Sequence, residues 1–385
     1  MSVRKKRSNI KSFLAGAAIG AGTAVGISYW MSHYPQSTPA QQRRNLALER
    51  ALENARAAGS VSLKDSHRYV IFSDHHKGAR NLADDFRFSE PTYQAALDYY
   101  YRQGYTLIIL GDAEELWEEK IPNVIQAYNN ILTSEARFYP DRYIRLSGNH
   151  DNAWKIEALV QQYLYPIFPG IYVRQELLFE FDTAGGKKGE ILLIHGHQGT
   201  LDSDIFDFIP EHLLPLYRDM QNLTNLGHTS PSRDACLRGT QDAQMYRWAS
   251  TKENLILIAG HTHRPVWSSQ THLDKLIHEL HLLQQRKPGR RPKDYGEKLE
   301  RLLTEVDIRA KKYPPCNDIV KTKSCYYNTG CCRFDDGDIT GIEIVDGDMR
   351  LVKWGKKGDQ NPNNAPVFTR KKLESQPLDE IFIML

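Results

Sequence analysis

The sequence predicts an α/β protein whose functional site lies at one edge of a buried sheet. Two observations predict it: 41% of the 385 residues are hydrophobic, and five short apolar runs each end in Asp, Asn or His. The runs with their polar ends are YVIFSDHH, LIILGDAEE, YIRLSGNHD, ILLIHGHQG and LILIAGHTHRP. Runs rich in Val, Ile and Leu are typical of strands buried on both faces, and ligands bind at the carboxyl ends of such strands. We therefore expect a sheet covered by helices, with the polar residues together in one site.

The N-terminal segment, residues 1–34, is predicted to be a basic stretch followed by a membrane anchor. Residues 13–31 carry no charge, and nineteen such residues are about the length that crosses a ~30 Å hydrocarbon layer as a helix. Tyr29 and Trp30 lie where interfacial aromatic residues are expected. The five cations before the apolar run favour a cytoplasmic N-terminus, hence a single-pass membrane protein with its larger part outside the cytoplasm. A cleaved signal peptide and a soluble Ala-rich helix remain alternatives.

The rest of the chain is predicted to form one domain with helical insertions. Residues 35–66 have the composition of a helical linker, and residues 67–354 are expected to form the globular domain. Two insertions, at about 201–250 and 271–315, have helical patterns. Asp-Gly steps after residue 325 indicate antiparallel hairpins at a sheet edge. Residues 355–385 are interpreted as a C-terminal tail.

Charge and cysteine content restrict the possible partners. A net charge of +3 does not indicate a nucleic-acid partner. A local basic cluster, RKPGRRPK at residues 286–293, lies in the second insertion, which is either a solvated helical hairpin or a basic cap that touches a membrane or an anionic substrate. The cysteines lack paired C-x-x-C spacing, so a zinc knuckle is not expected. Cysteine packing in the core is the favoured interpretation, and a disulfide remains open if the domain is exported.

The polar strand ends provide a set of metal ligands. They comprise two carboxylates, one amide and four imidazoles: Asp74, His76, Asp112, Asn149, His195, His261 and His263. Imidazole with carboxylate suits Mn, Fe, Zn or Ni rather than an all-oxygen Mg or Ca site. Seven ligands exceed what one ion needs, so we expect two divalent ions with one carboxylate shared between them. Two such ions can generate a hydroxide at neutral pH and stabilise a displacement at phosphorus.

The order of these motifs resembles the calcineurin-like metallophosphoesterase superfamily. The motifs are D-x-H at residues 74–76, G-D-x-x-E at 111–115, G-N-H-D at 148–151, H-G-H at 195–197 and G-H-x-H at 260–263. The resemblance covers about residues 69–265. It implies a four-layer αββα sandwich with a dinuclear site at the strand ends where two sheets meet, and it implies a hydrolase acting on a phosphoester substrate.

The resemblance also implies a role for each ligand. One ion would be held by Asp74, His76 and His263, and Asp112 would bridge it to the other. The second ion would be held by the remaining ligands, Asn149, His195 and His261. A hydroxide between the ions would attack phosphorus in line.

Neighbours of the ligands are predicted to act on the proton or on the substrate. His150 is expected to protonate the leaving oxygen as general acid, with Asp151 orienting its imidazole. His75 alternates to the opposite face of its strand and is not expected to bind metal. His197 is expected to support a ligand or to line the substrate cleft, and Glu115 to be structural.

The function is left open between four hypotheses. Arg264 in G-H-T-H-R-P and Trp117 in G-D-A-E-E-L-W are similar to UDP-2,3-diacylglucosamine hydrolases, which cleave a pyrophosphate in lipid metabolism. That family carries Arg where this chain has His150, and a general acid favours a phosphomonoester or phosphodiester with a poor alcohol leaving group. A nuclease, marked by a strong dependence of affinity on salt, and a membrane-tethered non-catalytic scaffold are the other hypotheses.

Overall fold

The computed structural model describes residues 38–81, 84–183, 186, 188–199, 235–312, 321–357 and 366–385. The predicted anchor at residues 13–31 lies outside these ranges. Within them, no helix combines the length and the apolar character needed to cross a bilayer. The chain divides into two compact units, Met1–Gln42 and Arg43–Leu385. The first is described only at residues 38–42, which begin helix α1.

Sheet 1 contains the first three predicted strands. Its spatial order is β14-β13-β12-β2-β3-β4-β5. The strands are β2 (Arg68–Phe72), β3 (Thr106–Leu110), β4 (Tyr143–Leu146), β5 (Val173–Arg174), β12 (Ile339–Val345), β13 (Asp348–Lys356) and β14 (Phe368–Pro377). Strands β2 to β5 run parallel, whereas β12, β13 and β14 are antiparallel to their neighbours. The carboxyl ends of β2, β3 and β4 therefore lie along one edge.

Sheet 2 contains the other two predicted strands. Its spatial order is β1-β6-β7-β8-β11-β9-β10. The strands are β1 (Val61–Leu63), β6 (Glu176–Asp182), β7 (Lys188–Ile194), β8 (Leu255–Ala259), β9 (Val266–Trp267), β10 (Gln270–Thr271) and β11 (Tyr326–Asn328). Strands β7 and β8 are parallel neighbours. All five apolar runs are thus strands, as predicted.

The helices connect and cover these strands. They are α1 (Pro39–Ala58), α2 (Phe86–Arg102), α3 (Ile121–Ala127), α4 (Asn129–Ala136), α5 (Glu157–Leu159), α6 (Ala235–Ser250), α7 (His272–Gln284), α8 (Tyr295–Lys312) and α9 (Leu378–Ile383). A 3₁₀ turn (Asn152–Lys155) precedes α5, a π-helical turn (Val160–Leu164) follows it, and a second 3₁₀ turn (Pro288–Arg290) lies between α7 and α8.

The two sheets pack face to face between two helical layers. Along β3, Ile108 and Leu110 point towards sheet 2, where they join a buried cluster with Leu193 and Ile258. The alternate residues Leu107 and Ile109 point the other way, into a cluster shared with α2, α3 and α4. The outer face of sheet 2 is covered by α1 and α6. This order of layers, helix, sheet, sheet and helix, is built by the period-two alternation of strands whose two faces are both buried.

Residues 38–66, the described part of the segment 35–66, contribute to the packing more than the linker interpretation implied. In α1, Leu48 and Leu52 are buried on one helix face against sheet 2, together with Ala51 and Ala55. Strand β1 then pairs in parallel with β6 at the edge of sheet 2. The composition of this segment predicts the helix. The apolar residues that bury it, at spacing i, i+3, i+4, form only a narrow stripe, so the pattern does not predict its burial.

Within the segment 355–385, interpreted as a tail, residues 368–377 form strand β14 of sheet 1. Strand β14 pairs along the whole of β13, and α9 then buries Leu378, Ile381 and Phe382 against the inter-sheet core. The strand is rich in charge because it is an edge strand, where Lys and Arg are common. That composition concealed the strand in the sequence.

The second insertion is the predicted helical hairpin. Helices α7 and α8 pack through Leu276, Leu280, Leu283 and Leu302. The first insertion is described only from residue 235, where it forms α6. The Asp346-Gly347 step joins β12 to β13 with positive φ at both residues, the geometry of a tight hairpin turn.

The cysteines that the structure describes are buried thiols. Cys325, Cys331 and Cys332 are free. The side chains of Cys236 and Cys316 lie outside the described part. Packing in the core, the favoured interpretation, holds for these three residues.

Candidate metal centre

The carboxyl ends of β2, β3, β4, β7 and β8 meet where the two sheets face each other. The loops after these strands bring the predicted ligands into one buried cluster, and none of the seven is more than 8% exposed. Three overlapping groups of side chains have ligand atoms within 4.8 Å of one another: Asp74, His76 and His263; His76, Asp112 and His150; Asp112, His195 and His261. The sequence order of the motifs therefore becomes a single three-dimensional site.

The first group surrounds Asp74. Its Oδ1 lies 3.1 Å from Nε2 of His263 and 3.9 Å from Nε2 of His76. The two imidazoles approach each other as well, with 3.1 Å between their Nε2 atoms. The backbone N–H of His261 donates to both oxygens of Asp74, at 3.0 and 2.9 Å, and fixes the carboxylate in place.

Asp112 belongs to the other two groups and connects His76, a member of the first group, to His195. Its Oδ2 is 2.9 Å from Nε2 of His195 and 3.7 Å from Nε2 of His76. Its Oδ1 accepts the backbone N–H of His150 at 2.8 Å. One carboxylate thus reaches both groups of imidazoles, as a shared ligand must.

The hydrogen bonds of two imidazoles leave their lone pairs directed at the cluster. Nδ1 of His195 donates to the carbonyl oxygen of Leu110 at 2.9 Å, so Nε2, which faces Asp112, is the atom whose lone pair would bind a metal ion in place of a proton. Nδ1 of His76 lies 2.8 Å from Glu115, so its Nε2 likewise faces inward. Electron-rich atoms that converge in a buried space need a cation, and histidine ligands characteristically donate their other ring N–H in this way.

Two further ligand atoms lack hydrogen bonds. Oδ1 of Asn149 and Nε2 of His261 are buried and have no hydrogen-bond partner in the described structure. Leaving such atoms unsatisfied costs about 1–3 kcal/mol each, which metal coordination would remove. The donor set therefore fits metal ions on the observed geometry.

The backbone at the strand ends is turned by residues in the left-handed region. Asp74, His76, Asp112, His261 and His263 all have φ between 49° and 68°. A positive φ is uncommon for non-glycine residues, and such residues concentrate at functional sites. The turn after each strand redirects alternate side chains to the same point.

Glycine is required where two of these loops touch. A Cβ at Gly148 would collide with the carboxylate of Asp112, and a Cβ at Gly260 would lie 2.5 Å from both Oδ2 of Asp74 and Oγ of Ser73. The glycines of G-N-H-D and G-H-x-H thus permit the close approach of the loops.

Burial and neighbouring imidazoles together determine the charge of the two carboxylates. Burial alone would raise the pKa of Asp74 and Asp112. For Asp74 the surrounding histidines, chiefly His263, outweigh burial and hold the pKa well below its usual range. For Asp112 the same holds, with His195 and His150 the main neighbours. The site therefore places two ionised carboxylates among imidazoles.

The predicted general acid, His150, lies at the rim of the cluster. Its side chain is 12% exposed, and its Nδ1 is 2.7 Å from Oε1 of Glu115. The indole of Trp117 stacks on the imidazole, with ring centroids 4.0 Å apart and an interplanar angle of 24°. His150 is thus held on one side by a carboxylate and on one face by an aromatic ring.

The carboxylate that contacts His150 differs from the predicted one. The oxygens of Asp151 instead accept the backbone N–H groups of Ala113, at 2.8 Å, and Gly148, at 2.5 Å. Burial, and after it the charges of Asp112 and Glu114, raises the pKa of Asp151 to about 6. Asp151 fixes the loops of the second and third motifs, and Glu115 orients His150. Sequence reasoning singled out Glu115 but could not see that its two oxygens reach two histidines.

Two other histidines lie near the cluster without joining a ligand group. His75 is fully buried and packs edge-on against Phe86 and Tyr93, on the helical side of sheet 1. Its alternation away from Asp74 and His76 is as predicted. The ring of His197 lies 5.5 Å from that of His195 and 6.4 Å from that of His261, behind these two residues.

Comparison with known protein families identifies the family to which the chain belongs. The family model for calcineurin-like phosphoesterases matches residues 67–265, just over half of the 385-residue chain. The chain belongs to the calcineurin-like phosphoesterase family. It is accordingly a hydrolase of phosphoric esters, with Asp and His residues positioned to bind metal. No curated protein matches the chain, and the similarity to UDP-2,3-diacylglucosamine hydrolases is not confirmed.

Behind the phosphoesterase site lies a buried ionic network that sequence reasoning missed. Nζ of Lys77 is 3.0 Å from Glu135 and 3.3 Å from Glu114, and Arg145 also pairs with Glu114. All four side chains are fully buried. Lys77 and Glu114 directly adjoin His76 and Glu115, so the network holds the first two motifs together. The only sequence indication was that these charges flank the motif residues.

Arg333 also lies near the site, but none of the sequence motifs includes it. It follows residues 67–265, the part of the chain that the family model matches. The backbone N–H of Cys332 donates to the carbonyl oxygen of Asp74 at 3.3 Å, which brings the loop beside the first group of ligands. The Arg333 side chain is 20% exposed and lies 3.5 Å from Asp85. Burial lowers the pKa of His263 to about 4, and the guanidinium of Arg333 acts in the same direction. A cation therefore faces the site from this loop.

Proposed function

We propose that the chain hydrolyses a phosphomonoester or phosphodiester with an alcohol leaving group, at a centre that holds two divalent ions. Asp74, His76 and His263 hold the first ion, and Asp112 is shared with the second. The second ion is held by the remaining ligands, Asn149, His195 and His261. The observation that carries the proposal is the position of Asp112, with one oxygen 2.9 Å from His195 and 3.7 Å from His76.

The chemistry divides between the ions and the protein. Two divalent ions at such a site supply a nucleophile from water at neutral pH and neutralise charge on the reacting oxygens. The ligand set of imidazoles and carboxylates suits Mn, Fe, Zn or Ni. The surrounding protein contributes orientation, because the backbone of His261 fixes Asp74 and the carbonyl of Leu110 fixes the tautomer of His195.

Protonation of the leaving oxygen falls to His150. Glu115 accepts from Nδ1, so Nε2 of the imidazolium is free to donate to an alkoxide as the P–O bond breaks. Trp117 covers one face of the ring and prevents it from tilting away. Arg333 contributes positive charge that acts on His76 and His263.

A substrate panel on the full chain tests the proposal. The panel contains p-nitrophenyl phosphate, bis-p-nitrophenyl phosphate and a nucleotide-diphosphate sugar, each measured after chelation and after addition of Mn. We expect metal-dependent release of p-nitrophenol from at least one ester. Cleavage of the sugar nucleotide alone would instead indicate a pyrophosphate hydrolase, and metal-independent hydrolysis would overturn the proposal.

A further inference from the structure

A cleft of about 980 Å³ opens directly beside the candidate metal centre. It begins at His263 and Arg264 and extends between helix α8 and the inner face of β12, β13 and β14. Small-molecule sites usually occupy ~300–1,000 Å³, so the cleft lies at the upper end of that range. A phosphoryl group alone would fill only a small part of it.

A row of three side chains leads away from the centre along the wall of this cleft. Thr340, Lys353 and Lys371 are direct cross-strand partners on β12, β13 and β14, and all three line the cleft. Strands are spaced 4.7–4.9 Å apart, so Lys371 lies two spacings, about 10 Å, from Thr340.

The near end of this row is connected to the metal centre by hydrogen bonds. Oγ1 of Thr340 donates to the carbonyl oxygen of Thr329 at 2.7 Å, and Oγ1 of Thr329 lies 2.6 Å from Oγ of Ser73. Ser73 in turn contacts Asp74. The row therefore has a fixed position relative to the first group of ligands.

The far end of the row carries an excess of positive charge. Lys353 pairs with Asp338, whereas neither Lys371 nor Lys356 has an ion pair in the described structure. The other Lys and Arg side chains of the walls have ion pairs: Lys275 with Glu374, Arg264 with Asp242 and Arg309 with Glu305. Lys371 is the direct cross-strand partner of Lys353, so a bound anion could contact both ammonium groups while Lys353 keeps its pair with Asp338.

Apolar side chains form a path along the cleft beside this row. Ile308 of α8 is 61% exposed and Leu373 of β14 is 39% exposed, and both face the cleft with Leu351 and Phe334. Such exposed apolar side chains within one cleft are typical of a binding surface.

We propose that this cleft binds the leaving group of the substrate, and that the leaving group has an apolar stretch ending in a second anionic group held by Lys353 and Lys371. The substrate class is therefore an elongated, amphiphilic phosphoester with anions at both ends. The inference rests on the proposed phosphoesterase function for the location of the scissile phosphorus.

Matched substrates test the proposal in the Mn-loaded full chain. We expect kcat/KM for 1,8-octanediol bisphosphate to exceed that for n-octyl phosphate by about tenfold or more, as for one charge-assisted contact. The variant Lys371→Gln should remove this preference by lowering kcat/KM for the bisphosphate to the value for n-octyl phosphate. The control Lys372→Gln alters the adjacent lysine, which alternates to the opposite face of β14, and should retain the preference.

The apolar path has its own pair of variants. Ile308→Ser should lower kcat/KM for n-octyl phosphate by about tenfold, because burial of a large aliphatic side chain is worth ~1.5–3 kcal/mol, equivalent to a tenfold or larger change. Leu303→Ser removes an apolar side chain of α8 that is 41% exposed but does not line the cleft, and it should have no effect.

Binding of non-hydrolysable probes separates failure of the cleft from failure of the function. Calorimetry of the metal-loaded chain with octane-1,8-bisphosphonate and octylphosphonate should show tighter binding of the first, lost in Lys371→Gln. Equal binding of the two probes, or an unchanged preference in Lys371→Gln, overturns the cleft assignment whether or not esters are hydrolysed. Preferential binding without hydrolysis of any ester supports the cleft and rejects the proposed phosphoesterase function.

Discussion

The carboxylate of Glu115 lies between a candidate metal ligand and the candidate general acid, 2.8 Å from Nδ1 of His76 and 2.7 Å from Nδ1 of His150. Both rings are thereby held with Nε2 directed at the site. The histidine charges and hydrogen bonds outweigh the effect of burial and hold the pKa of Glu115 below its usual range. One side chain thus contacts both a candidate metal ligand and the candidate general acid.

Replacement of Glu115 should therefore impair both functions at once. In Glu115→Gln a neutral amide can satisfy at most one ring as acceptor, and we expect metal affinity and turnover of an alkyl phosphate each to fall ~10–100-fold, as for other partners of metal ligands. Metal titration and steady-state kinetics measure the two effects. Glu118→Gln, an exposed neighbour, is the control and should change neither. Wild-type values in Glu115→Gln would show that the contact has no functional role.

Removal of His150 should depend on the leaving group. In His150→Ala we expect hydrolysis of an alkyl phosphoester to slow by ~10²–10⁴-fold, since general acid catalysis typically contributes that much. A p-nitrophenyl ester should slow far less, because p-nitrophenolate departs without protonation. Metal content, measured by elemental analysis, should stay intact, whereas Asn149→Ala should lose metal and slow both esters. Equal slowing of both esters in His150→Ala would assign the residue to phosphoryl binding instead.

The buried network behind the site should dominate local stability. Lys77→Met leaves Glu135 without its cation in a fully buried position, and breaking such a pair typically costs 3–5 kcal/mol. Urea unfolding followed by circular dichroism measures the change. Lys120→Met removes an exposed lysine just before helix α3, and its effect should remain within ~0.5 kcal/mol. A loss below 1 kcal/mol in Lys77→Met would mean that the network is dispensable.

Metal removal should destabilise the fold in a way that added metal reverses. The converging carboxylates and imidazole lone pairs favour a cation in the folded state alone, so bound metal stabilises by mass action, ~2.7 kcal/mol at a hundredfold excess over Kd. Differential scanning calorimetry should show a lower Tm after chelation and recovery on addition of Mn. A Tm that is insensitive to both would argue against a metal centre.

The sequence predicted the strands and the composition of the site because buried strands have continuous apolar runs and their polar ends are conspicuous. The residues whose contacts the sequence did not predict correctly are those that bind residues of another loop. Asp151 follows His150 directly in the chain, yet its oxygens bind the backbone of Ala113 and Gly148. Glu115, thirty-five residues away, reaches His150 because the loops after β3 and β4 are adjacent.

Elements that mix polar and apolar residues were the harder part of the fold to predict from the sequence. Strand β14 is exposed along one edge and rich in lysine, so its pairing with β13 leaves no apolar pattern. Arg333 lies in a loop outside any motif and approaches the site only because Cys332 binds the backbone of Asp74. Such contacts are set by tertiary packing, which a pattern along one chain does not encode.

The central claim, two metal ions bridged by Asp112, is tested most directly by the metal content of Asp112→Asn. Elemental analysis of the Mn-loaded, desalted full chain should give two equivalents for the wild type and fewer for the variant, with turnover of p-nitrophenyl phosphate or its diester abolished. The neutral amide offers one oxygen donor where the carboxylate has two, so it cannot bridge two ions equally well. Two tightly held ions in Asp112→Asn, or undiminished turnover, would contradict the shared-ligand arrangement.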